Sequence, residues 1–175
     1  MQSLSQQNFE LNHYSSKADF AQNLMSTICG EHRLDTSCRD TLDFHYDGMR
    51  LPHKRMTIGT ISYGANVAIN TSNLKAYSIS LPVSGKQILN MRGERYLSDE
   101  KNGLILSNAD LQDLTIDKDC KKLQVVVPEQ SLQIVLADLL HQPVEKPVIF
   151  NPEMHFDSEH LITAWWKNIQ NFLQF

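Results

Sequence analysis

Between Phe44 and Val127 the sequence is interrupted by turn-forming residues too often for helices of ordinary length to fit between them. The breaks fall at Asp47-Gly48, Tyr63-Gly64, Thr71-Ser72-Asn73, Ser84-Gly85, Arg92-Gly93, Lys101-Asn102-Gly103, Asn108-Ala109-Asp110 and Asp117-Lys118-Asp119. Gly, Asn and Asp supply the backbone conformations and local hydrogen bonds that reverse a chain. The segments between the breaks predict strands near 42–49, 54–62, 66–70, 75–83, 86–91, 94–97, 104–107, 112–116 and 121–127. Many short strands at this spacing demand a β-sandwich or barrel.

The sharpest alternation is in YSISLPVSG, residues 77–85. Tyr77, Ile79, Leu81 and Val83 fall on one side of an extended chain, and Ala76, Ser78, Ser80 and Pro82 on the other. The expectation is that the apolar side lines the inside of the barrel. Tyr63, Tyr77 and Tyr96 offer hydroxyls to a pocket with otherwise apolar walls, although tyrosine is also an ordinary strand residue. The candidate ligand pocket is therefore Tyr63, Tyr77, Ile79, Leu81 and Val83. Gln87 and Asn90 must face opposite sides of their strand. Arg92 and Arg95 at the 92–95 turn form either an anion-binding fork or a solvated hairpin tip.

Helical patterns flank the strands. Residues 1–15 read as a polar, flexible arm, and Ser16 caps a helix whose apolar face is Phe20, Leu24, Met25 and Ile28, ended by Gly30. This helix and the strands form a unit over 16–127. From Pro128 to Phe175 two amphipathic helices follow. Leu132, Val135, Leu136 and Leu139 make the stripe of the first, and Trp165, Ile169 and Phe172 contribute to the stripe of the second. These seven residues are the candidate dimer interface, since aromatic and Leu-rich helical faces suit that role; packing of both helices on the barrel is the competing reading.

Composition narrows the function. With 175 residues, 41% hydrophobic and 21% charged, the chain suits one folded domain. A formal net charge of −4 and no basic run longer than His53-Lys54-Arg55 disfavour direct DNA binding by this chain. Three cysteines, Cys29, Cys38 and Cys120, without a CxxC pair predict reduced thiols and a cytoplasmic protein. No secretory leader or membrane span is expected. The sequence has no GxSxG, HExxH, GxGxxG or phosphate loop, and the 56–127 region contains no histidine, so neither a catalytic group nor a metal or other cofactor is expected.

Three segments read together carry a family resemblance. They are MTIGTISYGANVAIN, then YSISLPVSGKQILNMRGERYLSDEKNGLILSNAD, then KLQVVVPEQSLQIVLADLLHQPVEKPVIFNPEM. In this order, over about residues 16–174, the chain resembles the AraC-binding-like N-terminal regulatory domain of AraC/XylS-type transcription regulators. The resemblance implies a mainly β fold with flanking helices: a cupin-like jelly-roll barrel with an N-terminal helix and two C-terminal amphipathic helices. It implies an effector-binding and/or dimerisation domain that controls DNA binding by a C-terminal helix-turn-helix domain, which this chain lacks. An apolar ending at Phe175 fits a piece of something longer. The expected partners are a second copy and a small-molecule effector, mostly apolar or aromatic. The alternatives are a small cupin-type barrel enzyme and a ligand-free dimerisation module.

Overall fold

The computed structural model describes residues 9–51, 56–108, 111–156 and 161–173. Its elements are β1 (Phe9–Ser15), α1 (Ala18–Cys29), β2 (Arg33–Asp35), β3 (Phe44–Leu51), β4 (Met56–Ser62), β5 (Val67–Thr71), β6 (Ala76–Ser84), β7 (Gln87–Met91), β8 (Glu94–Ser98), β9 (Asn102–Leu106), β10 (Gln112–Ile116), β11 (Lys121–Pro128), α2 (Glu129–Leu140), β12 (Glu153–His155) and α3 (Leu161–Phe172). Two antiparallel sheets face each other. One has seven strands in the order β1-β3-β4-β11-β6-β9-β12, the other five in the order β2-β5-β10-β7-β8. The nine strands expected between residues 42 and 127 correspond to β3 through β11. Part of the expected arm, residues 9–15, is instead an edge strand paired with β3 from Phe9↔Arg50 to Ser15↔Phe44; the rest of the arm lies outside the described residues.

Between the sheets lies one core, with Phe44, Tyr46 and Ile61 from the larger sheet and Leu89, Leu114 and Ile116 from the smaller. Helix α1 closes this space with Ala18, Ala21, Met25 and Ile28, which recur at helical spacing. Phe20, expected on that face, is exposed beside His13, and the N-cap is Lys17 rather than Ser16. Small alanines let the helix approach closely, which a phenylalanine would prevent. Gly30 (φ +114°) ends the helix, its amide donating to Ser26 O at 3.1 Å.

A second core lies on the outer face of the seven-stranded sheet. Ile58, Leu81, Leu123 and Val125 from the sheet meet Met154, Trp166 and Leu173. Trp166 is 2% exposed and packs edge-on against Phe156, with ring centroids 5.7 Å apart. Trp166 and Ile169 of α3, and Leu173 just beyond its end, pack into this core; Trp165 and Phe172 stay exposed. No residue of α2 is buried.

This second core reverses the expectation for β6. Ile79 and Leu81 pack outward into it. Tyr77 lies on the same face, its hydroxyl accepting the Val148 amide at 3.1 Å and its ring edge-on to Phe150. The residues that point between the sheets are Ser78 and Ser80. Both bond to interior glutamines, and both pair across strands with Leu106 and Leu104 of the inner core. An apolar strand face must leave water, but either side of a sheet serves once a helix covers the outside.

At the end of β6, Gly85 holds φ +65°. A β-carbon there would sit 2.6 Å from the Cys120 amide nitrogen and 2.7 Å from the Asp119 carbonyl carbon.

Candidate functional site

The interior between the sheets contains polar groups where an ordinary core would be apolar. On β11, Lys122 and Gln124 alternate with the outward Leu123 and Val125, so both point inward. Lys122 is 4% exposed. Its Nζ donates to Gln87 Oε1 at 2.7 Å. Gln87, fully buried on β7, donates from Nε2 to Ser80 Oγ at 2.8 Å and Ser98 Oγ at 3.1 Å. The hydrogen bonds to both sheets satisfy the Gln87 amide. Gln124 Nε2 donates to Ser78 Oγ at 3.0 Å and reaches Cys29 Sγ at 3.7 Å. Its Oε1 is buried and has no partner among the described residues.

Lys122 and Gln124 line a cavity between the sheets with Cys29, His32, Tyr63 and Ser78. The centre of a water-sized sphere can move through about 40 Å³ of it. Its other walls are apolar and include Met25, Ile61 and Leu114. Desolvation governs its electrostatics. Burial pushes the Cys29 thiol up to about 12, partly offset by Lys122. Burial also raises the Tyr63 hydroxyl and lowers the His32 imidazole. The Lys122 ammonium is held below its ordinary 10.5, again by burial. Among the described residues no carboxylate pairs with Lys122 within 4.0 Å, so the usual compensation for a buried cation is missing.

The lowered lysine sets a pH signature. Below its folded-state value both folded and unfolded chains carry the charge, and the full burial penalty acts. Between that value and 10.5 the unfolded chain holds the extra proton, so folded stability rises with pH. Lys122→Met lacks this term. The stability of the wild type relative to the variant should therefore increase from neutral pH towards 10.5 in urea titrations. A constant difference would show that Lys122 titrates normally.

Of the five expected pocket residues, only Tyr63 lines this cavity. Tyr77, Ile79 and Leu81 are under the C-terminal segments on the other side of the sheet. Val83, 39% exposed, borders an open outer groove with Lys121, Lys167 and Leu173. The residues missed are Lys122, Gln124, Gln87, Ser78, Ser80, His32 and Cys29. For Ser78, Ser80, Lys122 and Gln124 the signal was present as polar residues at alternate positions of β6 and β11. It becomes readable once the outer face of the sheet is known to be covered.

Gln87 is inward and Asn90 exposed, opposite as expected. Arg92 (φ +53°) and Gly93 (φ +82°) form the tight turn of the β7–β8 hairpin, where Arg95 is also exposed. Among the described residues there is no group of three or more His, Cys, Asp or Glu positioned for a metal, and no helix is long and apolar enough to cross a membrane. All three cysteines are free thiols.

A family model described as an AraC-binding-like domain matches residues 21–172. No curated protein matches the sequence. Among solved structures, the AraC-like transcriptional activator CuxR is similar, with a TM-score of 0.66 at 11% identity, over 94% of this chain and 61% of that one. This chain thus spans about three-fifths of CuxR's length, and at that identity the likeness is one of fold. The Schizosaccharomyces pombe Cnp3 cupin domain aligns over 78% of this chain and 97% of its own, with a TM-score of 0.42 at 7% identity. A mutant of Bacillus subtilis oxalate decarboxylase aligns over 64% of this chain and 35% of its own, with a TM-score of 0.37 at 11% identity.

Proposed function

The chain belongs to the AraC-binding-like domain family, and from that membership we propose that it is the regulatory domain of an AraC-type transcription regulator, receiving a small molecule between its sheets and joining two copies through its C-terminal helices. DNA would be bound by a separate helix-turn-helix domain. The observation that carries the reading is the interior cavity with buried polar atoms that have no hydrogen-bond partner among the described residues, Gln124 Oε1 above all. A chain selected only for a solid core has no use for an unpaired amide oxygen, whose desolvation is unfavourable. We read the cavity as a receptor rather than a catalytic centre. Its one thiol is driven away from the reactive thiolate form by burial, and its polar side chains hydrogen-bond one another in a fixed network. Tyr77, Ile79, Leu81 and Val83, the side chains that would suit an apolar or aromatic effector, face away from this cavity.

The dimer proposal is supported by the apolar surface that the two helices leave exposed. Leu139 is 71% exposed and Phe172 54%, with Val135 and Trp165 also open. Such side chains clustered on helices mark interaction surfaces. Ile169, placed in the same interface by the sequence, is half-buried against the sheet and contributes less.

The test combines light scattering with a thermal-shift screen of small metabolites. The wild-type chain should be a dimer. Leu139→Glu and Trp165→Glu should each fold normally and bring the mass in solution down by roughly half. If both variants keep the wild-type mass, the helices do not make the dimer. In the screen, a saturable rise in melting temperature supports the receptor reading. No response to any compound, together with a dimer mass, would leave a ligand-free dimerisation module.

A further inference from the structure

We propose that the cavity between the sheets is a site for a short-chain hydroxycarboxylate, with the carboxylate on Lys122 and the hydroxyl on Gln124 Oε1 or His32 Nε2. The inference rests on the receptor reading above and names the ligand class for that site.

The argument starts from unspent hydrogen-bonding capacity. An ammonium has three N–H donors. Lys122 Nζ has one hydrogen-bond acceptor among the described residues, Gln87 Oε1, and no carboxylate. An anion entering the cavity supplies both the missing charge and the missing acceptors, in a low-dielectric setting where charge-assisted hydrogen bonds are strong. Gln87 cannot rotate away to serve a ligand, because its amide is fixed by Ser80 and Ser98. It positions the ammonium instead.

Two further buried atoms of the lining have no partner among the described residues, and both accept. Gln124 uses its amide nitrogen on Ser78 and Cys29, leaving Oε1 bare. His32 Nδ1 lies 3.1 Å from Gly30 O, an atom that only accepts, so Nδ1 carries the proton and Nε2 presents a lone pair. That Nε2 is also buried and has no partner among the described residues. Two acceptors call for a donor on the ligand. An ammonium would be repelled by Lys122, whereas a hydroxyl is not. The cavity's small volume limits the carbon chain to a few atoms, and its apolar walls suit those carbons. Together these features select a monocarboxylate with a nearby hydroxyl over sugars, which lack the charge, and over phosphates, whose higher charge one ammonium does not balance.

The experiment titrates the 175-residue chain with sodium glycolate, lactate and glycerate at fixed ionic strength. Ethylene glycol and 1,2-propanediol are neutral controls, and propionate is the deoxy control. Melting temperature is followed alongside the ¹³Cε signal of Lys122. The expected result is a saturable rise with at least one hydroxy acid, a weaker one with propionate, and none with the diols. The Lys122 signal should shift at the same concentrations. Lys122→Met should weaken binding roughly tenfold or more, the loss of one charged hydrogen bond. Gln124→Leu should abolish the preference for lactate over propionate.

Equal responses to diols and acids would overturn the proposal, as would binding that Lys122→Met leaves unchanged. Silence from every acid overturns it as well. If a neutral metabolite in the broader screen then binds independently of Lys122, the receptor reading survives while the ligand class falls. If nothing binds in either experiment, both fall.

Discussion

Replacing Trp166 with alanine should lower the stability of the chain by about 3–5 kcal/mol, the range for deleting a large buried aromatic side chain. Trp166 is 2% exposed and is the largest side chain in the outer core. Its ring meets Phe156 edge-on and lies among the side chains that β4, β6 and β11 present outward. Trp166 supplies the largest share of the contact that the α3 region makes with the sheet, alongside Ile169 and Leu173. Trp166→Phe should be much milder. The indole Nε1 has no hydrogen-bond partner among the described residues, so phenylalanine loses area without stranding a donor's partner. Urea unfolding of the two variants at unchanged slope would report the difference. A loss below about 1 kcal/mol for Trp166→Ala, within the ordinary surface range, would mean that α3 is not seated on the sheet.

Gly85→Ala should also be severe, for a different reason. At φ +65° an L side chain is strained by roughly 1–3 kcal/mol. Here the added carbon also meets backbone, at 2.6 Å from the Cys120 nitrogen, and no rotamer change relieves that. The turn must open or the β10–β11 connection must move, which disturbs the start of β11 and so Lys122. Gly93→Ala is the matched control, with φ +82° but open space around its β-carbon. Its loss should be confined to the backbone strain. Equal effects in the two variants would show that the close approach to Cys120 is unimportant.

The strand-rich middle of the chain was legible because turn residues punctuate it and because β3 through β11 each carry several side chains in alternation. Three strands were not. β2 and β12 have three residues each, too few for a pattern, and they exist through backbone pairing with β5 and β9. β1 reads as polar because it is an edge strand. The candidate site was half legible. Alternation in β6 was correctly read, but its direction was not, because period-two patterning tells that two faces differ and never which one is inside. The answer depends on Trp166 and Leu173, some eighty residues away in the chain. Trp165 was picked for the apolar stripe while its neighbour Trp166 does the packing. A two-residue aromatic run on a helix spans about 100° of its circumference, so adjacent tryptophans cannot share one seat.

β11 is a shared wall between two rooms. Lys122 and Gln124 furnish the inner one, and Leu123 and Val125 the outer one, residue by residue. Because successive side chains leave one backbone in opposite directions, the strand cannot yield to a guest on the inside without pushing on the tenant outside. A tilt of β11 that widens the cavity presses Leu123 and Val125 towards Trp166, and with it the helix that carries the exposed Trp165 and Phe172. In the regulator proposed above, an occupied interior would reach the surface where a second copy would stand through this one strand. One strand's thickness separates the two.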